Sequence, residues 1–210
     1  MCGIIGGYDL DKISLGLDAI NHRGRDSKDL KNISFVSFCH VRLQVIDTSS
    51  ASDQPMTVGD TTITFNCSVW NFRNIRDYLT QTYNISFKTD GDTEVLAHLI
   101  DREDLSGLSK IQGMFVVAWT RGNGEITIAR DRHGEVPCHY SLLDTAVFPH
   151  FMFCSEIKGL RALGVKNSLI EMLPSGSYIK TIKQNGIQSE KGCWYNIRDN
   201  LIEDNFSNRS

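Results

Sequence analysis

Cys2 stands directly behind the initiator in the run Met1-Cys2-Gly3-Ile4-Ile5-Gly6-Gly7, so removal of Met1 places a thiol and a free α-amine on one residue. A thiol with an ordinary pKa of about 8.5 is mostly protonated at neutral pH, and an α-amine near 8 keeps enough neutral form to take its proton. The two groups together make a nucleophile with its own base, and no histidine is required. A small residue at position 2 permits removal of the initiator. On position alone two readings stand open: an N-terminal nucleophile, or a small hydrophobe buried at the head of an apolar strand.

The elements that must position this residue can be read from periodicity. Residues 2 to 8 form a candidate strand and Ile13 to Ile20 a short helix. Val41, Leu43 and Val45 alternate with Arg42 and Gln44, the period-two pattern of a strand that turns Arg42 to the face opposite its apolar residues. A helix is expected from Asn71 to Tyr83, with Phe72, Ile75 and Leu79 on one face and Asn71 as its N-cap. Another helix begins near Asp92. Gly113 to Thr120 and Glu125 to Arg130 flank Gly122-Asn123-Gly124, a hairpin turn whose glycines accept positive φ, and Asn185-Gly186 marks a second. Strands are expected at Cys138 to Leu143 and Val147 to Cys154, followed by a short helix capped by Ser155 and ending at Gly164. Many antiparallel strands interrupted by a few helices predict two packed sheets with helices outside.

Composition narrows the partners. The 210 residues are 40% hydrophobic and 22% charged, enough for one well-packed domain. A formal charge of −3 offers no basic face for phosphates, which argues against nucleic acid or an anionic membrane as a partner. No apolar stretch approaches the roughly 20 residues that span a bilayer, and no leader-like segment opens the chain, so it reads as cytoplasmic. The six cysteines are dispersed without a C-x-x-C pair, which speaks against zinc or a disulfide framework. The six histidines show no ligand spacing and are read as loop and surface residues; neither metal nor cofactor is expected. Trp119 and Trp194 are assigned to packing, while Trp70 stays undecided.

Several strings then resemble one family in order and spacing. They are Met1-Cys2-Gly3-Ile4, His22-Arg23-Gly24 with Asp26, Arg42-Leu43 through Ile46-Asp47, Gln54-Pro55, Phe65-Asn66 and Asp92-Thr93-Glu94-Val95. Farther along come Gln112-Gly113-Met114-Phe115, Arg130-Asp131 with Gly134 and Pro137, Ser155-Glu156-Ile157-Lys158, and Pro174 with Gly176-Ser177-Tyr178. The chain resembles the class II glutamine amidotransferases, specifically the N-terminal glutaminase domain of asparagine synthetases. That resemblance implies an α+β fold of the N-terminal-nucleophile hydrolases, a four-layer αββα sandwich of two mainly antiparallel sheets. Residues 1–210 are expected to form a single amidotransferase domain with no ATP-dependent synthetase domain. A separate synthetase protein is the implied partner and glutamine the implied substrate.

Under the resemblance Cys2 attacks the glutamine side-chain amide, releases ammonia and leaves a γ-glutamyl thioester for water to hydrolyse. Asn66 and the backbone N–H of Cys67 occupy the positions of the oxyanion donors. Arg42 and Asp92 resemble the groups that grip the substrate's α-carboxylate and α-ammonium, and the backbone around Val45 and Ile46 lines the pocket. Arg23 either steadies the site or is an exposed loop arginine. Each of these residues also has a plainer reading: Asn66 as a turn asparagine, Arg42 as a surface charge, Asp92 as a helix cap.

The departures lie beside the nucleophile. Where the family carries glycine and then glutamate after Phe-Asn, this chain has Cys67 and Ser68, so a charge near the substrate ammonium is replaced by a neutral hydroxyl. A charge-assisted hydrogen bond contributes about 1.5–3 kcal/mol against about 1 for a neutral one, which points to weaker glutamine binding or another amide substrate. Arg25 stands where the family has proline. A catalytically silent binding or regulatory module, and an amidase for a different small amide, therefore stand as alternatives to the glutaminase.

Overall fold

A computed structural model describes residues 1–143 and 149–196. One six-stranded sheet contains β1 (Gly3–Tyr8), β2 (Ser27–Ile33), β3 (Val36–Arg42), β8 (His139–Leu143), β9 (His150–Cys154) and β10 (Glu171–Met172), in the order β10-β8-β9-β1-β3-β2. The other contains β4 (Met56–Val58), β5 (Thr61–Val69), β6 (Gly113–Thr120), β7 (Glu125–Arg130), β11 (Ser177–Lys183) and β12 (Ile187–Cys193), in the order β12-β11-β7-β6-β5-β4. The described ladders are antiparallel.

Alternation along the strands builds the layers. On β1, Ile4 enters a core between the two sheets together with Phe38, Val116 and Ile128. Its neighbour Ile5 enters a different core, against Ile13 and Leu17 of α1 (Ile13–Ala19) and Leu160 of α4 (Ile157–Ala162). On the other sheet Val116 and Ala118 face inward, whereas Val117 and Trp119 pack under α2 (Phe72–Tyr83) and α3 (Asp92–Glu103). Because side chains alternate with period two, each sheet buries both faces, and the result is helix, sheet, sheet, helix. The expected sandwich is what the chain adopts. No helix among the described residues is long and apolar enough to cross a membrane.

Four local expectations are corrected. The strand proposed through Val41, Leu43 and Val45 stops at Arg42, and Val45 is 77% exposed in the loop beyond. The neighbouring strands give no further partner: β1 begins at Gly3, opposite Val41, and β2 begins at Ser27, opposite Arg42. Side chains take over instead, with Cys2 Sγ bonding Leu43 and Asp26 accepting the Gln44 N–H. Asn71 precedes α2 but does not cap it; its amide bridges Lys110 O and Gln112 N. Ser155 does not cap α4 either, because its hydroxyl accepts the Ile4 N–H at 3.0 Å and so pins the start of β1. The histidines are not all surface groups: His40 is only 1% exposed. The expected strand from Val147 is observed from His150, Val147 itself lying outside the described residues.

Candidate active site

Strand parity brings the nucleophile candidate to one end of the inter-sheet layer. Cys2 lies two residues before Ile4 and so projects to the same side of β1. On β3, His40 and Arg42 share the inward parity of Phe38. On β5, Asn66 pairs with Val116 and Ser68 with Met114, which turns both inward, while Cys67 pairs with Phe115 and turns toward α3. These residues line a cavity of about 320 Å³, together with Met1, Val45 and Asp92. That volume falls at the small end of ligand sites, which run from about 300 to 1,000 Å³.

The Cys2 backbone is clamped from one side. Arg23 Nε donates to the Cys2 carbonyl oxygen at 2.8 Å, and its Nη1 donates to Glu156 Oε1 at 2.9 Å. Burial alone would raise the Glu156 carboxyl, but hydrogen bonds from Arg23 and Lys158, with the His22 charge, outweigh it and hold the pKa down to about 2. Gly24 is required by close approach, since a Cβ there would lie 2.5 Å from the Arg42 carbonyl carbon and the Val41 oxygen. Arg23 is thus a part-buried clamp on the Cys2 backbone and not an exposed loop arginine, while Arg25 is exposed; neither side chain lines the cavity.

Opposite Cys2, β5 supplies donors. Asn66 is 2% exposed and its Nδ2 has no hydrogen-bond partner. β4 covers β5 only as far as Ile63, which leaves an open edge beyond it. On that edge Phe65 N–H goes to Gln54 Oε1 at 2.7 Å and Val69 N–H to Asp92 Oδ2 at 3.4 Å. By parity the N–H of Cys67, midway between them, points the same way. The Cys67 thiol sits 3.6 Å from Asp92 Oδ2, and burial first, then the Asp92 charge, keeps it protonated well above the ordinary thiol range.

Charged groups mark the other end of the cavity. Arg42, 6% exposed, donates to Ser49 O at 2.8 Å, to Asp53 Oδ1 at 2.7 Å and to Asp47 O. These bonds pin the 47–53 loop; a guanidinium has five N–H donors, so it can still address a ligand. Asp47 braces the same loop through Ser49 N and Ser52 Oγ. Asp92 opens α3 without capping it, Gly91 being the N-cap, and its carboxylate reaches across to β5. Burial raises its pKa, against the lowering effect of Val69 N–H and Cys67.

Gln54 and His40 are among the cavity residues to which sequence pattern assigns no role. Gln54 accepts the Phe65 N–H on the open edge of β5, and His40 lines the cavity. The signal for His40 was present: it lies two residues before Arg42 and so shares its face, but a lone histidine reads as polar surface until the second sheet is placed over it.

The comparisons agree with this architecture. The glutamine amidotransferase domain family matches residues 1–198. Asparagine synthetase [glutamine-hydrolyzing] 2 of Bacillus subtilis is 32% identical over 146 residues, 68% of this chain and 18% of its own length. Amidase chyE of Penicillium rubens is 29% identical over 75% of this chain and 23% of its own length. Among solved structures, the glutamine phosphoribosylpyrophosphate amidotransferase of B. subtilis, complexed with ADP and GMP, superposes with a TM-score of 0.76 at 18% identity, covering 92% of this chain and 49% of that one. The chain thus spans less than a third of the length of those two curated relatives.

Proposed function

The chain belongs to the class II glutamine amidotransferases, an enzyme family, and from that premise we propose that it hydrolyses the side-chain amide of glutamine to glutamate and ammonia through Cys2. The observation that carries the reading is the buried, unpartnered Nδ2 of Asn66, a residue that lines the cavity together with Cys2. A buried donor without a partner costs about 1–3 kcal/mol, and a ligand oxygen that accepts from it removes that penalty.

In this reading the freed α-amine of Cys2 takes the thiol proton and the sulfur attacks the amide carbon. The oxyanion that forms accepts from Asn66 Nδ2 and the Cys67 N–H. Collapse passes the proton to the departing nitrogen, ammonia leaves, and a γ-glutamyl thioester remains. Water, deprotonated by the same amine, then releases glutamate and regenerates the thiol. Arg42 takes the α-carboxylate and Asp92 the α-ammonium, with Ser68 adding a neutral hydrogen bond and the loop around Val45 covering the substrate. Met1 also lines the cavity, so its removal both exposes the amine and opens space.

The proposal extends to the fate of ammonia, which passes to an ATP-dependent synthetase on a separate protein. Crosslinking and co-purification of the native protein test this, and recovery of a strictly solitary chain counts against it. A second reading draws support from Ser68: with one carboxylate, Asp92, at the ammonium end, another small amide is the substrate. Incubation of the processed protein with glutamine, with and without Cys2→Ala, decides the main point. Glutamate release that survives the substitution eliminates Cys2 as nucleophile, and release from neither protein favours a silent module.

A further inference from the structure

β2 is the outermost strand of its sheet, and among the described residues no strand pairs with its far side. The Asp9 N–H bonds Phe35 O, which extends the β1–β3 register by one pair and fixes its phase. Counting from Phe35, the alternate residues Ser37, Cys39 and Val41 of β3 bond β1, and those between them bond β2. The β2–β3 register assigns the latter bonds to Ser27, Asp29, Lys31 and Ile33. Lys28, Leu30 and Asn32 therefore turn their backbone N–H and C=O groups outward, away from the sheet. Leu30 agrees: its N–H goes not to β3 but to the side chain of its own neighbour, Asp29 Oδ1, at 2.7 Å.

An outward row of this kind is a template for another strand. When two identical strands pair antiparallel about a two-fold axis, the axis must pass through a residue that faces its own copy. Leu30 is the middle residue of β2, so an axis there pairs the whole strand. It also places Asp29 opposite Lys31 on both sides of the axis and Lys28 opposite the neutral Asn32. Shifting the axis by one residue sets Asp29 against Asp29 or Lys31 against Lys31. An axis at Lys28 opposes two lysines, and one at Asn32 pairs only Lys31, Asn32 and Ile33. Opposite charges on directly facing residues stabilise a ladder and like charges destabilise it.

We propose that β2 is a homodimer interface, in which two copies of this chain pair antiparallel about Leu30 and join their sheets into one. The Leu30 N–H exchanges the Asp29 carboxylate for the partner's Leu30 carbonyl, which frees that carboxylate for the partner's Lys31. In the single chain Lys31 holds the neutral Thr57 Oγ1, while Lys28 stays on Asp18 of its own α1. Leu30, 40% exposed, pairs with Cys39 and shares its face toward α1, where it meets its own copy and covers apolar surface. Nothing in this pairing depends on the amide-hydrolase reading.

Sedimentation velocity of the full chain, from micromolar to millimolar concentration, is expected to show a concentration-dependent dimer. Hydrogen exchange at the Lys28, Leu30 and Asn32 amides is expected to slow as the dimer forms. Asp29→Lys and Lys31→Asp each set like charges at both contacts and are expected to weaken the dimer about 10-fold or more. Mixed one to one, the two variants regain opposite charges at both contacts, so a heterodimer forms where neither variant associates alone; thermal unfolding establishes that both fold. A wild-type chain that stays monomeric throughout overturns the proposal, whether its lysines simply guard the edge or a strand of another protein takes it. A dimer that the folded single variants leave intact, or whose Leu30 amide exchanges as fast as in the monomer, uses another surface and overturns it too. So does a mixture of folded variants that fails to recover association.

Discussion

Arg23 Nε and the Cys2 carbonyl oxygen lie 2.8 Å apart, and the other end of the same guanidinium is anchored on Glu156. The residue that carries the thiol is thereby held by a charge network reaching from the loop before β2 to the start of α4. A chain terminus is ordinarily the first segment to fray, and this contact ties it down.

Replacing Arg23 by Met removes that anchor and keeps the apolar stem. Loss of orientation in an attacking group costs up to about 100-fold, so kcat for glutamine is expected to fall about 10- to 100-fold while KM moves less. Steady-state kinetics on the processed variant check this. An unaltered kcat would show that the terminus is positioned by Ser155 and β1 pairing alone.

Glu156 makes the same network acid-sensitive. Its carboxyl is held down to about 2, below the ordinary glutamate value of about 4.3, so its contribution to stability is complete above the unfolded pKa and is lost as pH falls through the folded one. Denaturant unfolding of the wild type and Glu156→Gln is expected to differ by about 1–3 kcal/mol near neutral pH. The gap narrows below about pH 4.3 and closes near the folded pKa. A gap that stays constant across that window would assign the difference to packing.

Asn66→Ala takes away one of the two proposed oxyanion donors. The expected loss in kcat is about 100- to 1,000-fold, with KM for glutamine changed far less, because the donor acts on charge that develops only after attack. The variant should be at least as stable as the wild type, since it deletes a buried donor that has no partner. A raised KM with an ordinary kcat would instead make Asn66 a ground-state binding group.

In the proposed reading Asp92 sets the acid limb of the pH profile. Its carboxylate must be ionised to hold an ammonium, and burial raises its pKa, so kcat/KM for glutamine should decline as pH falls through a value above the ordinary aspartate range of about 3.9. Asp92→Asn is expected to abolish this limb and raise KM about 10-fold or more. Persistence of the limb in the variant would move the titration to another group.

The elements legible in the chain are those with local causes. The hairpin at Gly122-Asn123-Gly124, the helix under Phe72, Ile75 and Leu79, and the strand behind Cys2 each follow from turn chemistry or period over a few residues. Where a side chain had a distant partner, local rules failed. Asn71 and Ser155 sit at cap positions, yet they spend their polar atoms on Gln112 and Ile4, segments that sequence distance hides. The alternating run through Val45 has the form of a strand but no neighbouring strand to pair with.

The sequence by itself determined the chemistry available, a thiol at position 2 with an arginine, an asparagine and an aspartate in family order, because residue types and spacing are properties of the chain. Only the tertiary structure decided which of those groups meet. The register between β1 and β3 sets Ile4 beside His40, and the packing of the two sheets turns His40 and Asn66 into one cavity, leaving each with an unpaired atom. Neither fact has a local cause: strand partners and sheet faces arise from burying apolar surface between segments far apart in sequence, and the orphan atoms exist only once water has been excluded from around them.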